Sequence, residues 1–261
     1  MQAPDPAADL ALLLDAARAA EGIARAHWRA DPQTWTKADD SPVTEADLKV
    51  DRHLRDMLGT ARPGYGWLSE ESEDDPARLE AQTVFIVDPI DGTRSYAAGQ
   101  TDWAHSLAVA HRGRVVAAVV HLPLRDQTFA ATADTATTLN GAPVAVTDAP
   151  ACEGARLLAP RWALDPAGWR GGVAPGFDRS LRPALAWRLS LVAEGRFDAA
   201  LTLRPVWEWD IAAGTLLVER AGGIVTDRRG ARHAFNSAGR RSDGMIAAGP
   251  ALHADILSHL A

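Results

Sequence analysis

The stretch VDPIDGTRSYAAG, residues 87–99, ends an apolar run by placing two carboxylates three residues apart, Asp88 and Asp91, and follows them with a glycine and a hydroxyl. Their charges repel, so a turn that keeps both needs cations or donors around it. The run Thr83 to Val87 reads as a strand that delivers Asp88 at its carboxyl end, where Pro89 stops the ladder. Gly92 and Thr93 then open a short helix towards Gly99, whose free N–H groups and dipole suit an anion. Carboxylates and an anion share one turn only with cations between them. Hard divalent ions such as Mg²⁺, which take oxygen ligands and bridge carboxylates to phosphate oxygens, are the class that fits. The chain offers no Cys/His cluster for zinc. A structural alternative stands beside this one: Asp is a common turn residue, and Asp91 can cap whatever follows Gly92.

Three further places bear on the choice. In GWLSEES, residues 66–72, the short apolar strand Trp67-Leu68 ends in Ser69 and then Glu70-Glu71, the same layout as the Asp88 turn. The competing reading is an exposed acidic loop that runs on into Glu73, Asp74 and Asp75. In WEWDIAAGTLLVERAGG, residues 207–223, Asp210 starts a helix that is apolar almost all round from Ile211 to Val218, hence buried, and that stops at Gly222-Gly223. As an N-cap Asp210 is worth about 1 kcal/mol; held between Trp209 and a buried helix it is poorly solvated and needs a cation or strong donors. Asp47 shares a helical face with Val50, Leu54 and Leu58, which points it inward, although three residues after Thr44 it also fits a capping box. Inward, it can hold a hydroxyl such as that of Thr93 as a proton acceptor, a carboxylate–threonine pair that activates water.

The elements that must position these residues follow from periodicity. Leu10, Leu13, Leu14, Ala17, Ala20, Ile23 and Ala24 recur at helical spacing between Asp9 and Trp28, and a second helix starts near Thr44. From Tyr65 to Ala145 short β-rich runs (YGWL, TVFIVD, HSLAVA, RVVAAVVH, QTFAAT) with turn signals at Arg112-Gly113 and Asn140-Gly141 predict a largely antiparallel sheet. After about Thr147 strand and helix candidates alternate (ARLLAP, PALAWRLSLVAEG, FDAALT, DIAAGTLLVERAGG, IVTD), an α/β pattern. The expected organisation is an N-terminal α+β half, residues 1–148, holding the loops above, and a C-terminal α/β half, residues 149–261, with a seam at Pro150 to Glu153 and both acting as one catalytic unit.

A chain of 261 residues with 47% hydrophobic content can build one large domain or two that share a core. Its 27 Lys+Arg against 34 Asp+Glu, net −7, argue against a coat for a nucleic-acid backbone while leaving room for a small anionic ligand. A single cysteine, Cys152, excludes an intrachain disulfide, and MQAPDPAADLALLL lacks the basic and apolar regions of a secretory leader, which predicts a cytoplasmic setting. No apolar run reaches the length of about 18 residues that spans a membrane. There is no internal repeat, only an alanine-rich bias.

GWLSEES, VDPIDGT and WDIAAGTLLVERAGG, in this order and separation, resemble the three signature segments of the inositol monophosphatase superfamily of Mg²⁺-dependent, lithium-sensitive phosphatases. KADDSPVTEAD, Lys37 to Asp47, resembles the segment ahead of the second helix in the 3'(2'),5'-bisphosphate nucleotidase branch. The similarity covers nearly the whole chain and implies an α/β (α+β) fold layered α-β-α-β-α, with two or three Mg²⁺ ions. It implies that Glu70 and Asp88, with the backbone oxygen of Ile90, bind one metal and that Asp88, Asp91 and Asp210 hold another. Amides of Gly92 and Thr93 would cradle the phosphate, and Asp47 with Thr93, helped by Glu70, would orient and deprotonate the attacking water. Lys37 and Arg188 match substrate-side basic residues; for Arg188 a surface arginine on an amphipathic helix is the alternative. One departure is the Ala184-Leu185-Ala186 stretch, where the family often shows Gly-Ser, which places a backbone-and-hydroxyl contact to substrate in doubt.

The reaction so implied is hydrolysis of a phosphate monoester, first 3'-phosphoadenosine 5'-phosphate, then inositol 1-phosphate or histidinol phosphate. A catalytically silent metabolite-binding homologue is the reading from another class. The expected partner is a small phosphorylated metabolite, with no nucleic-acid polymer and no membrane; a homodimer stays open.

Overall fold

A computed structural model of the protein describes residues 4–30, 33–37 and 41–261. Helix α1 (Pro6–His27) starts on Asp5, whose side chain accepts from the amides of Ala7 and Ala8, and buries Leu13, Ala16, Ala17, Ala20 and Ala24. The hairpin of β1 (Thr34–Thr36) and β2 (Pro42–Thr44) leads into α2 (Glu45–Ala61). The start of α2 is the expected capping box, with the Thr44 side chain on the Asp47 amide and the Asp47 side chain on the Thr44 amide.

Next come β3 (Gly66–Ser69), β4 (Thr83–Asp91), α3 (Thr93–Ala97), β5 (Ala104–His111), β6 (Arg114–Leu122), β7 (Gln127–Thr132), β8 (Thr138–Leu139) and β9 (Ala142–Pro143). These strands form a seven-stranded sheet in chain order, antiparallel apart from the parallel β3–β4 pair. Both predicted turn signals close hairpins: Arg112-Gly113 with φ 48 and 79° joins β5 to β6, and Asn140-Gly141 with φ 50 and 83° joins β8 to β9. Two left-handed residues in a row match the twist of paired strands.

The rest of the chain supplies β10 (Arg156–Leu158), β11 (Asp178–Ser180), α4 (Leu185–Ala193), β12 (Ala199–Thr202), β13 (Val206–Trp207), α5 (Glu208–Arg220), β14 (Ile224–Thr226), β15 (Arg241–Ser242), β16 (Met245–Ala248) and α6 (Pro250–His259). A five-stranded sheet runs in the order β11-β10-β12-β16-β14, parallel through β12 and antiparallel beyond it.

Strand alternation sorts side chains between layers. Phe85, Val87, Leu107, Val109 and Val119 pack against α1 and α2, while Val84, Ile86, Ala108 and Val120 face α4 and α5 through Trp187, Leu189, Ile211 and Leu217. On the second sheet Leu158, Ala200 and Ala247 face the same helix pair, and Leu157, Leu201 and Ile246 face Leu252 and Ile256 of α6. The layers are therefore α1/α2, seven-stranded sheet, α4/α5, five-stranded sheet, α6, the expected α-β-α-β-α arrangement. Helices α4 and α5 are apolar nearly all round because a sheet covers each side. They also touch closely: a Cβ on Gly214 would lie 2.4 Å from a methyl of Leu189. The central cluster draws residues from both sides of position 148.

The sequence expectation that Pro89 ends the β4 ladder is corrected. Pairing with β5 lapses after Asp88↔Ser106 and resumes at Asp91↔Ala104, so Pro89 and Ile90 form a bulge rather than a stop. Proline has no N–H for the ladder, and the bulge absorbs that loss.

Candidate active site

Three chain turns meet where β3 and β4 end and α5 begins. Glu70 leaves β3 with its amide donating to the Val87 carbonyl at 3.2 Å, which carries the parallel pairing one residue further and sets Glu70 beside Asp88. The loop is anchored from α2: Asp51 accepts from the hydroxyls of Ser69 at 2.5 Å and Ser72 at 2.7 Å, and the Trp67 indole donates to Ser72 at 2.9 Å. The exposed-loop reading therefore fails for Glu70 and Glu71. The Glu71 side chain is only 4% exposed, whereas Glu73 and Asp75 are the solvated part of that acidic run. Asp51 is one turn beyond Asp47 on the inward face of α2, a spacing that could have marked it.

Lys37, the residue after β1, reaches into this loop and donates to Glu70 and Glu71 at 2.7 Å each. Burial works against its charge, but the two carboxylates hold its ammonium above the usual lysine range. Burial and the neighbouring Glu70 push the Glu71 carboxyl up to about 8. The neighbours Ala38, Asp39 and Asp40 of the KADDSPVTEAD segment lie outside the described residues.

Asp88 is 1% exposed and its Oδ1 has no hydrogen-bond partner. Burial, then the charges of Glu70, Asp91 and Asp210, raise its carboxyl well above the usual range. Asp91 is raised by burial and by Glu70, against two amides of α4 that donate to it, Leu185 at 3.1 Å and Ala186 at 2.6 Å, and against the charge of Arg188. Thus the Ala184-Leu185-Ala186 stretch offers its first helical amides to Asp91, and Asp91 caps α4 rather than its own short helix α3. Asp210 lies in the first turn of α5, whose N-cap is Trp207, so Asp210 is not the N-cap. Burial, then Asp91 and Glu70, raise its carboxyl strongly.

Across from this group, the Thr93 hydroxyl lies 3.1 Å from Asp47 Oδ1 and 3.0 Å from the Ile90 carbonyl. Asp47 Oδ2 accepts from the Thr44 amide at 2.9 Å and its hydroxyl at 2.5 Å. Burial moves the Asp47 carboxyl up to about 6 in spite of these donors, with Glu70 adding to the rise. Both contacts expected of Asp47 are present, one on each carboxylate oxygen: the capping box on Oδ2 and the Thr93 hydroxyl on Oδ1. Gly92, with φ 95°, makes the turn between the acidic pair and α3, and a Cβ there would lie 2.9 Å from the Asp102 carbonyl.

Arg188 sits on α4 with two nitrogens donating to the Arg182 and Pro183 carbonyls, at 2.5 and 3.0 Å. Burial opposes its charge, and Asp91 and Asp210 stand close enough to support it. It is therefore not a solvated surface arginine. Residues that sequence reading missed hold the frame: His105, buried and kept neutral by burial with its pKa down to about 3, donates from Nδ1 to the Pro89 carbonyl at 2.5 Å. The Ser106 hydroxyl donates to the Trp209 carbonyl at 3.2 Å, tying β5 to the first turn of α5.

The structure thus brings Glu70, Asp88, Asp91 and Asp210 into one another's field, with the Asp47–Thr93 pair and Gly92 alongside. Oxygen donors alone, excess buried negative charge and an orphaned carboxylate oxygen fit hard divalent cations such as Mg²⁺. Elsewhere in the fold Cys152, Asp255 and His259 come together, with one possible ligand atom of each within 4.8 Å of the others. No helix among the described residues is long and apolar enough to cross a membrane.

Known proteins place this geometry in context. The sequence profile of the inositol monophosphatase family matches residues 6–261. An inositol-1-monophosphatase of Rhizobium meliloti is 36% identical over 198 residues, 72% of this chain and 73% of its own. A histidinol-phosphatase of Chlorobaculum parvum is 27% identical over 255 residues, 96% and 95% of the two chains. The solved structure of the extragenic suppressor protein suhB from Bartonella henselae superposes with a TM-score of 0.82 at 26% identity, over 96% of this chain and 97% of that one.

Proposed function

Because the chain belongs to the inositol monophosphatase family of metal-dependent phosphomonoesterases, we propose that it is a Mg²⁺-dependent enzyme that removes the 3'-phosphate of a nucleoside 3',5'-bisphosphate such as 3'-phosphoadenosine 5'-phosphate. Residues 1–148 and 149–261 would work as one catalytic unit, since the carboxylates come from both. The observation that carries the hydrolase reading is Asp88: a buried carboxylate with an unpartnered oxygen, in the field of Glu70, Asp91, Asp210 and Glu71. Glu70, Asp88, the Ile90 carbonyl, Asp91 and Asp210 would hold two or three Mg²⁺ ions. When bound, Mg²⁺ neutralises these acids, polarises the phosphoryl oxygens and lowers the pKa of a water.

The chain's own groups do the rest. Thr93 directs its hydroxyl proton to Asp47 and leaves its lone pairs for a water, and Asp47, raised towards neutrality by burial, takes the proton that travels through this pair. Glu70 lies on the same side and helps to orient that water. The amides of Gly92 and Thr93 cradle the phosphate, and Lys37 supplies a cation at the Glu70–Glu71 edge.

Arg188 supports the bisphosphate as substrate: a half-buried guanidinium whose charge is felt by Asp91 and Asp210 suits a second phosphate. The names of two relatives, an inositol-1-monophosphatase and a histidinol-phosphatase, favour a second reading, a monophosphate of a small alcohol. Phosphate release from 3'-phosphoadenosine 5'-phosphate, inositol 1-phosphate and histidinol phosphate, each with Mg²⁺ and with EDTA, tests both. Highest kcat/KM on the bisphosphate is expected. Preference for either monophosphate overturns the substrate, and no release from any of them with Mg²⁺ overturns the metal-dependent mechanism in favour of a silent binding protein.

A further inference from the structure

Away from the carboxylate centre, on the far side of the five-stranded sheet, the connection ahead of β10 meets the last turns of α6. Cys152, 2% exposed, belongs to the apolar cluster that also holds Leu252 and Ile256. Its amide donates to Asp255 Oδ2 at 2.8 Å. His259 follows one turn after Asp255 on α6, with Nδ1 3.8 Å from Asp255 Oδ1. One ligand atom from each of Cys152, Asp255 and His259 lies within 4.8 Å of the others, the one group of three or more such side chains among the described residues that converges so closely. A cleft of about 680 Å³, bordered by Glu153 and by Val173 to Gly176, opens onto the three and gives solvent access.

We propose that Cys152, Asp255 and His259 form a second cation site, for a borderline divalent ion such as Zn²⁺, separate from the carboxylate centre. A sulfur, an imidazole nitrogen and a carboxylate oxygen are the donor set that zinc takes and that Mg²⁺ does not. Three protein ligands leave a fourth position to water from the cleft. On binding, the Cys152 S–H bond breaks, its proton passes to solvent and a sulfur–metal bond forms; nothing is oxidised or reduced. The ion would fasten the last turn of α6 to the segment leading into β10.

Two other uses of the same residues fit worse. A nucleophilic thiol needs positive charge beside it to hold a free thiolate, whereas burial and the adjacent Asp255 carboxylate push the Cys152 thiol up to about 12; a bound divalent ion would itself supply the positive charge that is missing. A disulfide switch has no second cysteine in the chain.

The single cysteine makes the test specific. The full-length protein, saturated with Mg²⁺ to fill the oxygen-only centre, is titrated with Co²⁺ and followed by near-ultraviolet absorption, where a thiolate–Co²⁺ charge-transfer band can arise from Cys152 alone. One equivalent of Co²⁺ giving that band, displaced by Zn²⁺, is expected. C152S should lose the band, and H259Q, a change at an exposed side chain that spares the core, should weaken Co²⁺ binding about tenfold or more while leaving phosphate release unchanged. Absence of the band at saturating Co²⁺ in the wild-type protein overturns the site. Undiminished affinity in both H259Q and D255N reduces it to a cysteine acting alone and overturns it equally.

Discussion

Asp198 and Asp88 are the same residue type, 7% and 1% exposed, and they have opposite surroundings. Asp198 accepts from the Arg156 amide and guanidinium at 2.8 to 3.0 Å and from the Thr147 hydroxyl at 2.9 Å. Burial would raise its carboxyl, but these donors and the Arg156 charge bring it below the usual range. Asp88 is raised instead, with an orphaned oxygen and the acids Glu70, Asp91, Asp210 and Glu71 in its field. A protein that can satisfy a buried aspartate so fully in one place and leaves it frustrated in another has a use for the frustration. Satisfied, the carboxylate holds β10 to β12; unsatisfied, it is the one we propose for a cation.

The largest expected effect tests the frustrated side. Asp91→Asn should cut Mg²⁺-dependent turnover by about 10³-fold or more, the scale of losing several kcal/mol of metal-mediated stabilisation. The amide keeps an acceptor for α4, so circular dichroism should stay native. A near-normal rate at moderate Mg²⁺ would remove Asp91 from the metal set, and loss of helix signal would make it a cap of α4 first.

Thr93→Ala should lower kcat by about 10²-fold, the usual scale for losing general-base assistance, with KM moving less. Thr93→Ser should retain much of the rate, because the hydroxyl is the group on Asp47. Equal damage from both would assign Thr93 to packing.

Arg188→Ala divides the substrates. A charge-assisted contact worth about 1.5–3 kcal/mol should vanish, costing about 10- to 100-fold in kcat/KM on the bisphosphate, while inositol 1-phosphate is hydrolysed as before. Uniform loss on both would point to disturbed packing of α4 against the Arg182-Pro183 segment ahead of it, whose carbonyls the guanidinium also binds.

The smallest effects are in stability, and their signs differ between the two regions. Asp198→Asn should lower the melting temperature by a few degrees with kcat unchanged. Asp198, depressed when folded, contributes stability that is present above the ordinary aspartate range and is lost as pH falls through its folded value. Asp88, Asp91 and Asp210, raised when folded, do the reverse: in EDTA the melting temperature should decline as pH rises from the ordinary aspartate range of about 4 through their folded values. Saturating Mg²⁺ should flatten that decline. An EDTA curve that stays level from pH 5 to 8 would mean the carboxylates are not frustrated at all.

What the chain's sequence determined by itself was local. The capping box at Thr44 and Asp47, the turns at Arg112-Gly113 and Asn140-Gly141, and the apolar faces of the first two helices and of the β-rich runs are properties of neighbouring residues and their periodicity, so they are legible before folding, whereas the five-layer order came from the family resemblance. The acidic motifs were legible too, as candidate ligands for oxygen-loving cations beside their structural alternatives. Tertiary structure decided the partners. Thr93 meets Asp47 across 46 positions, the amides of Leu185 and Ala186 reach Asp91 across more than 90, and Asp51 grips the Glu70 loop. Whether Glu71 was solvated, whether Asp210 was an N-cap, where Arg188 pointed and that Cys152 would find Asp255 and His259 all depended on how the layers pack. Burial and long-range charge set a carboxylate's state, and neither is a property of the few residues on either side of it.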